Sequence, residues 1–265
     1  MLLPDKIAII HGGAGSIGAA MARVFAREGA AVHLMGRTLP TLEAVARDIT
    51  ARGGRASVAQ ANALNEDAVR RATDAVAATA GRIDIVVNAI GIPHVQGPAF
   101  LDLPLDAFLT PIDGYVRSHF ITTQAAARHM VKQGSGVFLS LSTPGARLSA
   151  PGFLGNGVSS AAVEALSRIL AGELGAFGIR TVCIRPDAVP EAIPTSHAGK
   201  VFSAIAAQHG TTAEGLLAER ARTSTLLHRL PTLAHVAEYA AFAASDRAGA
   251  MTGAIANLSC GSLVD

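Results

Sequence analysis

The chain has 265 residues, of which 50% are hydrophobic and 16% are charged, with a formal net charge of +2 at pH 7. This length fits one α/β domain with a large core, and so small a net charge gives no basic field for binding nucleic acid. No apolar run of about 18 residues or more occurs, so no membrane span is expected. The first residues lack the pattern of a signal peptide, and Cys183 and Cys260 form no disulfide framework or metal-ligand spacing. We therefore expect a cytoplasmic protein with no metal site.

The first part of the chain alternates between strand and helix patterns. Residues 6–11 form a short, β-branched apolar run typical of a buried parallel strand, and a glycine-rich turn at 12–18 leads into a helical pattern that ends at Gly29. Further strands are predicted at 31–35, 56–61 and 83–87, with helices at 41–52 and about 66–80. This alternation predicts an α/β fold of Rossmann type, whose doubly wound parallel sheet has helices on both faces and binds ligands at the carboxyl ends of its strands.

The second part continues the same alternation without an internal repeat or a linker, so we expect one domain over residues 1–265. Its predicted elements are a helix at about 106–130, a strand at 137–141, a long buried helix ending near 175–178, a strand at 181–185, a helical, polar-flecked insertion at about 187–230, a helix at 232–245 and a strand at 252–258.

The glycine-rich turn carries the first sign of a ligand. Gly13-x-Gly15-x-x-Gly18 has the spacing of a dinucleotide-binding turn, in which glycines let the backbone approach a pyrophosphate and the helix N-terminus offers free N–H groups. The predicted contacts come from Gly12, Gly15, Ser16, Ile17 and Gly18. A tight strand-to-helix turn without a ligand would show the same pattern.

The end of the second predicted strand bears on the choice of coenzyme. An acidic residue there would bind the two ribose hydroxyls of NAD, whereas this chain has Gly36 followed by Arg37. A guanidinium can fork onto a phosphate, so NADP(H) is favoured over NAD(H). The alternative is that Arg37 is only a solvated surface charge.

These motifs, taken over residues 5–261, resemble the short-chain dehydrogenase/reductase superfamily. The family's Thr-Gly-x-x-x-Gly-x-Gly corresponds to His11–Gly18, and its Asn-Asn-Ala-Gly to Asn88–Gly91. The resemblance implies nucleotide contacts from Asn62, with Ala63 beside it, from Asn88 and Gly91, and from Pro186, where the family's Pro-Gly turn reads Pro186-Asp187. The family's threonine for the nicotinamide carboxamide falls near Glu191.

The resemblance also implies catalytic positions, and this chain departs from the family there. The family's helix asparagine falls on Tyr115, and its serine on Thr143, with Ser142 beside it. Its Tyr-x-x-x-Lys pair falls on Asn156 and Ser160. A carboxamide exchanges no proton at physiological pH, and a serine carries no charge to tune one, so the family's usual proton chemistry is not expected here.

Other side chains could take over the proton transfer. Tyr115 and His119 lie four residues apart and could form an acid/base dyad on one helix face; alternatively Tyr115 fills space and His119 packs between subunits. His94, just beyond Gly91, is a second candidate, or else an ordinary loop histidine. A serine hydrolase is disfavoured, because no Gly-x-Ser-x-Gly elbow occurs.

Two functions remain open. The first is an NADP(H)-linked oxidoreductase that interconverts a carbonyl and an alcohol of a small molecule with atypical proton delivery. The second is an inactive or non-redox relative that binds a nucleotide or small molecule, or acts as a scaffold subunit. In the family, the insertion covers the substrate, and the helices at 106–130 and after Asn156 form a subunit interface, which implies a homodimer or homotetramer.

Overall fold

Seven strands form one parallel sheet in the computed structural model, which describes residues 1–265. They are β1 (Ile7–His11), β2 (Ala31–Gly36), β3 (Arg55–Gln60), β4 (Ile85–Asn88), β5 (Gly136–Leu141), β6 (Ile179–Pro186) and β7 (Ala254–Leu258). The strand order is β3-β2-β1-β4-β5-β6-β7, so the chain reverses direction across the sheet between β1 and β4. The expected doubly wound parallel sheet is confirmed, and the reversal opens a crevice at the carboxyl ends of β1 and β4.

Eight α-helices connect and cover the strands. They are α1 (Ser16–Arg27), α2 (Leu39–Ala51), α3 (Glu66–Ala80), α4 (Leu105–Gln133), α5 (Leu154–Leu174), α6 (His197–Gln208), α7 (Ala213–Ser224) and α8 (Leu233–Ala244). None of these helices is both long and apolar enough to cross a membrane.

Predicted and observed elements differ at their ends, for identifiable reasons. The fourth strand was predicted to begin at Ile83 but begins at Ile85, because the carboxylate of Asp84 accepts the Ile7 N–H at 2.8 Å, which a ladder carbonyl would otherwise accept. Helix α4 ends at Gln133, three residues beyond its predicted end at about 130, and Gly134 follows in the left-handed conformation that terminates helices.

The core lies on both faces of the sheet. On one face, β-strand side chains pack with Met21 and Phe25 of α1 and with the alanine-rich α8. On the other face, Ile9, Val86 and Phe138 pack against Met130 of α4. Because the central strands are covered on both sides, they read in the sequence as continuous apolar runs rather than alternating ones.

The insertion forms its own small layer above the carboxyl edge. A 3₁₀ turn (Pro190–Thr195) is followed by α6 and α7, and the layer has a separate cluster made of Ile193, Ala213, Leu217 and Leu230. It is fixed to the sheet by a bidentate ion pair, since Arg220 of α7 donates to both oxygens of Asp187, just after β6, at 2.8 and 2.9 Å.

Candidate active site

A cleft of about 1190 Å³ opens at the carboxyl ends of the strands, beneath the insertion. Its walls include the glycine turn after β1, the ends of β2 and β3, the loop after β4, the segment after β5, the first turns of α5, and α6 and α7. The residues predicted to bind nucleotide or take part in catalysis line this cleft, with the exception of Gly18, Asn88, His119 and Glu191.

The glycine turn is shaped by close backbone approaches. Gly12 has φ +77°, and a Cβ there would lie 2.3 Å from the carbonyl oxygen of Ala89. A Cβ on Gly18 would lie equally close, 2.3 Å, to the carbonyl oxygen of Gly12. Helix α1 begins directly after Gly15 with no side-chain cap, so the amides of its first turn keep their hydrogen-bonding capacity for an anion. The turn therefore fits a pyrophosphate.

The ends of β2 and β3 supply the next part of the cleft. Arg37 is exposed at the end of β2 and takes part in no ion pair, while its carbonyl accepts a hydrogen bond from Gln60 at 2.8 Å. Asn62 and Ala63 follow β3, where the Asn62 side chain accepts the Leu64 N–H at 3.1 Å. Arg37 is thus a cation on the cleft wall without a partner in the protein.

The end of β4 and the segment that follows it are in contact with side chains of two helices. Asn88 is buried at the end of β4, and its Oδ1 accepts the hydroxyl of Thr122 at 2.8 Å. Gly91 lies so close to His197 of α6 that a Cβ would come 2.7 Å from Nδ1 of the imidazole. The insertion and this segment are therefore in direct contact.

Three of the five predicted catalytic residues meet at one point. The Thr143 hydroxyl lies 3.0 Å from Oδ1 of Asn156 and 2.9 Å from the Ser160 hydroxyl, which is itself 3.0 Å from the same Oδ1. We call Thr143, Asn156 and Ser160 the oxygen triangle. None of its groups gains or loses a proton near neutral pH.

Ser142 does not join the triangle although it adjoins Thr143. Its hydroxyl donates to Oε1 of Glu164 at 2.7 Å, and Glu164 in turn binds Arg185 through two hydrogen bonds of 2.7 and 2.9 Å. The Arg185 side chain is only 1% exposed, and Asp265 accepts from its remaining nitrogen at 2.7 Å. Ser142 is therefore part of a buried ionic network behind the cleft.

Tyr115 and His119 do not form a dyad. The Tyr115 hydroxyl accepts the Ile92 N–H at 3.3 Å and lines the cleft, and burial raises the pKa of the phenol. His119 instead donates from Nδ1 to the Tyr115 carbonyl at 2.8 Å and is buried within the chain. Burial lowers its pKa to about 4, so it stays neutral. The imidazole therefore meets the tyrosine backbone rather than the phenol, and it does not reach the cleft.

Pro186 is the last residue of β6, and Asp187 follows it at the floor of the cleft. Asp187 is occupied by Arg220 and by its own following amide, Ala188 N–H, at 2.6 Å. Glu191, predicted near the nicotinamide carboxamide, lies outside the cleft wall and accepts the Leu233 N–H at 2.7 Å, at the start of α8. Thr195 is the threonine that reaches the glycine turn, where its hydroxyl lies 2.8 Å from that of Ser16.

The parallel sheet with its glycine turn at the switch in strand order defines a Rossmann-type α/β protein. A family model described as enoyl-(acyl carrier protein) reductase matches residues 12–262. The oxidoreductase UcpA of Salmonella typhimurium is 31% identical over 252 residues, which cover 95% of this chain and 92% of that protein. The chain belongs to the short-chain dehydrogenase/reductase family, and its homologues are oxidoreductases.

Solved structures agree with this assignment. A short-chain type dehydrogenase/reductase from Mycobacterium ulcerans superposes with a TM-score of 0.86 at 29% identity, covering 99% of this chain and 91% of that one. A 7α-hydroxysteroid dehydrogenase in complex with NADH and 7-oxo glycochenodeoxycholic acid superposes with a TM-score of 0.84 at 27% identity, covering 99% of this chain and 96% of that one.

Several contacts in and behind the cleft were not predicted from the sequence. Glu164 and Arg185 each interrupt an apolar run, and a charge in a buried run signals a buried partner, but not which one. The pair Asp187–Arg220 and the contact of His197 with Gly91 join positions far apart in the sequence, and no local pattern indicates them.

Proposed function

We propose that this chain is an NADP(H)-linked oxidoreductase that interconverts a carbonyl and an alcohol of a small molecule, with the proton delivered by a route other than a Tyr-Lys pair. The observation that carries the proposal is Arg37, an unpaired guanidinium on the wall of the same cleft as the pyrophosphate-shaped glycine turn. A planar guanidinium can donate two parallel hydrogen bonds to a phosphate, and no carboxylate of the chain competes for it.

The residues around the turn fit the rest of such a coenzyme. The first-turn amides at Ser16 and Ile17 would hold its pyrophosphate, and Asn62 and Ala63 would hold its adenine. Asn88 and Pro186 would position its nicotinamide half from the ends of β4 and β6. Bound there, the coenzyme supplies or accepts a hydride, and the chain supplies orientation and proton transfer.

The other half of the cleft suits a small molecule with apolar surface. The insertion contributes Phe202 and Ile205 from α6 and Leu216 from α7, and Phe153 faces them from the start of α5. We propose that the insertion covers the substrate, and that Asp187 and Arg220 hold the insertion in place. The structural relative with a bound 7-oxo steroid supports a carbonyl substrate class.

In this proposal the oxygen triangle orients the substrate and does not titrate. We assign Asn156 and Ser160 to the positions of the family's tyrosine and lysine, with Thr143 and Ser142 at its serine and Tyr115 at its helix asparagine. By turning away from Oδ1 of Asn156, the hydroxyl groups of Thr143 and Ser160 can donate to a substrate oxygen instead, but neither they nor the Asn156 amide can exchange a proton with it at neutral pH.

The oxygen triangle contains no titrating group, and this favours a second candidate, a relative that binds the nucleotide or a small molecule without catalysis. The two candidates separate on turnover. If wild-type protein binds NADPH but reduces no member of a panel of activated ketones, including α-diketones and quinones, the second candidate stands and the first is withdrawn.

Replacing Arg37 by Ala is expected to weaken NADPH binding about 10- to 100-fold, since a charge-assisted contact contributes about 1.5–3 kcal/mol. NADH, which has no 2′-phosphate, should bind Arg37→Ala as it binds the wild type. Calorimetric titration measures both. Arg47→Ala on α2, an exposed arginine outside the cleft, is the matched control and should change neither affinity. Equal losses for both nucleotides in Arg37→Ala would contradict the assignment.

We propose further that the chain assembles as a homodimer or homotetramer through α4 and α5. Large apolar side chains stay exposed on these helices, with Phe120 54% and Ile169 56% accessible. Burying them against a second copy would remove apolar surface from water. Light scattering of the purified protein should give a mass of two or four chains, and Ile169→Asp should lower it. A wild-type monomer would refute this proposal.

We also propose that the protein is cytoplasmic and acts without nucleic acid or membrane partners. Both cysteines are free thiols in the structure, as expected for a reducing compartment. Fractionation of cells that express the protein would place it in the soluble cytoplasmic fraction, and recovery with membranes would contradict the proposal.

A further inference from the structure

His94 lies in the loop after β4, on the wall of the cleft, and its imidazole is half-buried. Its Nδ1 is 3.1 Å from the carbonyl oxygen of Ile92. A carbonyl oxygen can only accept a hydrogen bond, so Nδ1 carries the proton of the neutral ring. The other nitrogen, Nε2, is thereby left with its lone pair, and it is available as a proton acceptor.

The NH₂ groups of two carboxamides face the other nitrogen, Nε2. Nε2 of Gln96 lies 3.0 Å from Nε2 of His94, and Nδ2 of Asn156 lies 3.4 Å from it. In the structure, Oδ1 of Asn156 accepts hydrogen bonds from the hydroxyls of Thr143 and Ser160 at 3.0 Å each, which leaves its NH₂ group on the side of His94. Asn156 therefore presents its oxygen to the other two members of the oxygen triangle and its NH₂ group to His94, and it links His94 to the triangle.

The surroundings of His94 keep its imidazole neutral. Burial lowers its pKa, partly offset by the bond to Ile92. The titratable group that faces it from the insertion is His197 of α6, with ring centroids 5.3 Å apart, and burial and then His94 itself lower the pKa of His197 to about 4. Helix α4 contributes the Tyr115 phenol, whose pKa burial raises. Helix α5 contributes only the uncharged Asn156, and the ion pair of Asp187 with Arg220 neutralises the charges at the floor.

From this geometry we infer that His94 is the general base of the site. Nε2 accepts the hydroxyl proton of an alcohol substrate that displaces the Gln96 amide and is oriented by the oxygen triangle. The inference rests on the proposed function, because the substrate's hydride must leave to the oxidised nicotinamide coenzyme as its carbon–oxygen single bond becomes a carbonyl. The alcohol thus loses one proton and one hydride, and the imidazolium returns the proton in the reverse reaction.

The arrangement gives the chain a different pH dependence from a phenol-based site. A neutral imidazole is competent wherever the pH exceeds its pKa, so alcohol oxidation should be level at neutral pH and fall only below the ordinary histidine pKa of about 6.5. A tyrosine base would instead gain activity toward alkaline pH.

The first test needs no substrate. ¹⁵N-histidine NMR of the wild-type protein with NADP⁺ should show, at the resonance that His94→Ala removes, a neutral ring protonated at Nδ1 at pH 7, with a pKa below its ordinary value. A ring protonated at Nε2, or charged at pH 7, would overturn the inference, because neither form can accept a proton at Nε2.

The second test uses 1-phenylethanol and NADP⁺, with NADPH formation followed by absorbance. His94→Ala should lower kcat about 100-fold or more, the usual loss for a positioned base, and added imidazole should restore part of it. His209→Ala, an exposed histidine outside the cleft, is the matched control and should behave as wild type. A kcat of His94→Ala equal to that of the wild-type protein would overturn the inference.

Failure of the proposed function would look different from failure of this inference. If wild-type protein binds neither NADPH nor NADP⁺ by calorimetry, the proposed function falls and the inference with it. If NADP⁺ binds equally to wild type and His94→Ala while kcat is also equal, the proposed function stands and only the assignment of His94 is wrong.

Discussion

Glu164→Ala is expected to lower the free energy of unfolding by about 3–5 kcal/mol, the cost of leaving a buried charge without its partner. The Arg185 side chain is 1% exposed, and Glu164 accepts two of its hydrogen bonds. Asp265 binds the remaining nitrogen from a position 42% exposed to solvent and cannot take the place of Glu164. Urea denaturation followed by circular dichroism measures the loss.

Ser142→Ala is the matched control for that prediction. It removes one neutral donor to the same carboxylate, so it should cost only about 1 kcal/mol and leave the ion pair intact. A loss below about 1 kcal/mol in Glu164→Ala itself would show that water reaches Arg185, and that the network does not hold β6 against α5.

Gly12→Ala is expected to abolish nucleotide binding, with a loss of affinity of 100-fold or more. The new methyl group would lie 2.3 Å from the carbonyl oxygen of Ala89, and an alanine would also be strained at φ +77°. The backbone of the turn must shift, and the first-turn amides of α1 then no longer converge on a pyrophosphate. Calorimetric titration with NADPH measures the effect.

Gly53→Ala separates the two causes. Gly53 has a similar φ of +82°, but a Cβ there meets nothing within 4 Å, and the residue lies outside the cleft. It should cost about 1 kcal/mol of stability and leave NADPH affinity unchanged. If Gly12→Ala binds NADPH as well as Gly53→Ala does, the turn is not the pyrophosphate site.

The sequence predicted the fold well because parallel strands covered on both faces leave a continuous apolar signal. The runs at Ile7–His11 and Val137–Leu141 are of this kind, and the glycines after β1 mark the turn to α1. The ends of elements were less accurate, because side chains such as Asp84 replace ladder hydrogen bonds in a way that propensity does not indicate.

The site was predicted only in part, because its remaining contacts depend on which distant side chains meet. The spacing along α5 placed Asn156 and Ser160 one turn apart, and the structure shows that Thr143 meets both. The same spacing rule suggested that Tyr115 and His119 could act together, but the His119 imidazole hydrogen-bonds the backbone carbonyl of Tyr115 instead of its phenol. The contact of Asn156 with His94 spans 62 residues and leaves no trace in local sequence.

The most direct test of the proposed NADP(H)-linked function is calorimetric titration of the wild-type protein with NADPH and, separately, with NADH. Micromolar binding of NADPH, and binding of NADH at least about 10-fold weaker, is the predicted result, since only the first offers a phosphate to Arg37. If the protein binds neither nucleotide, the proposed function is contradicted, since the glycine turn, Arg37 and the cleft that they share would then serve some other ligand. Tighter binding of NADH would contradict the assignment of Arg37 alone.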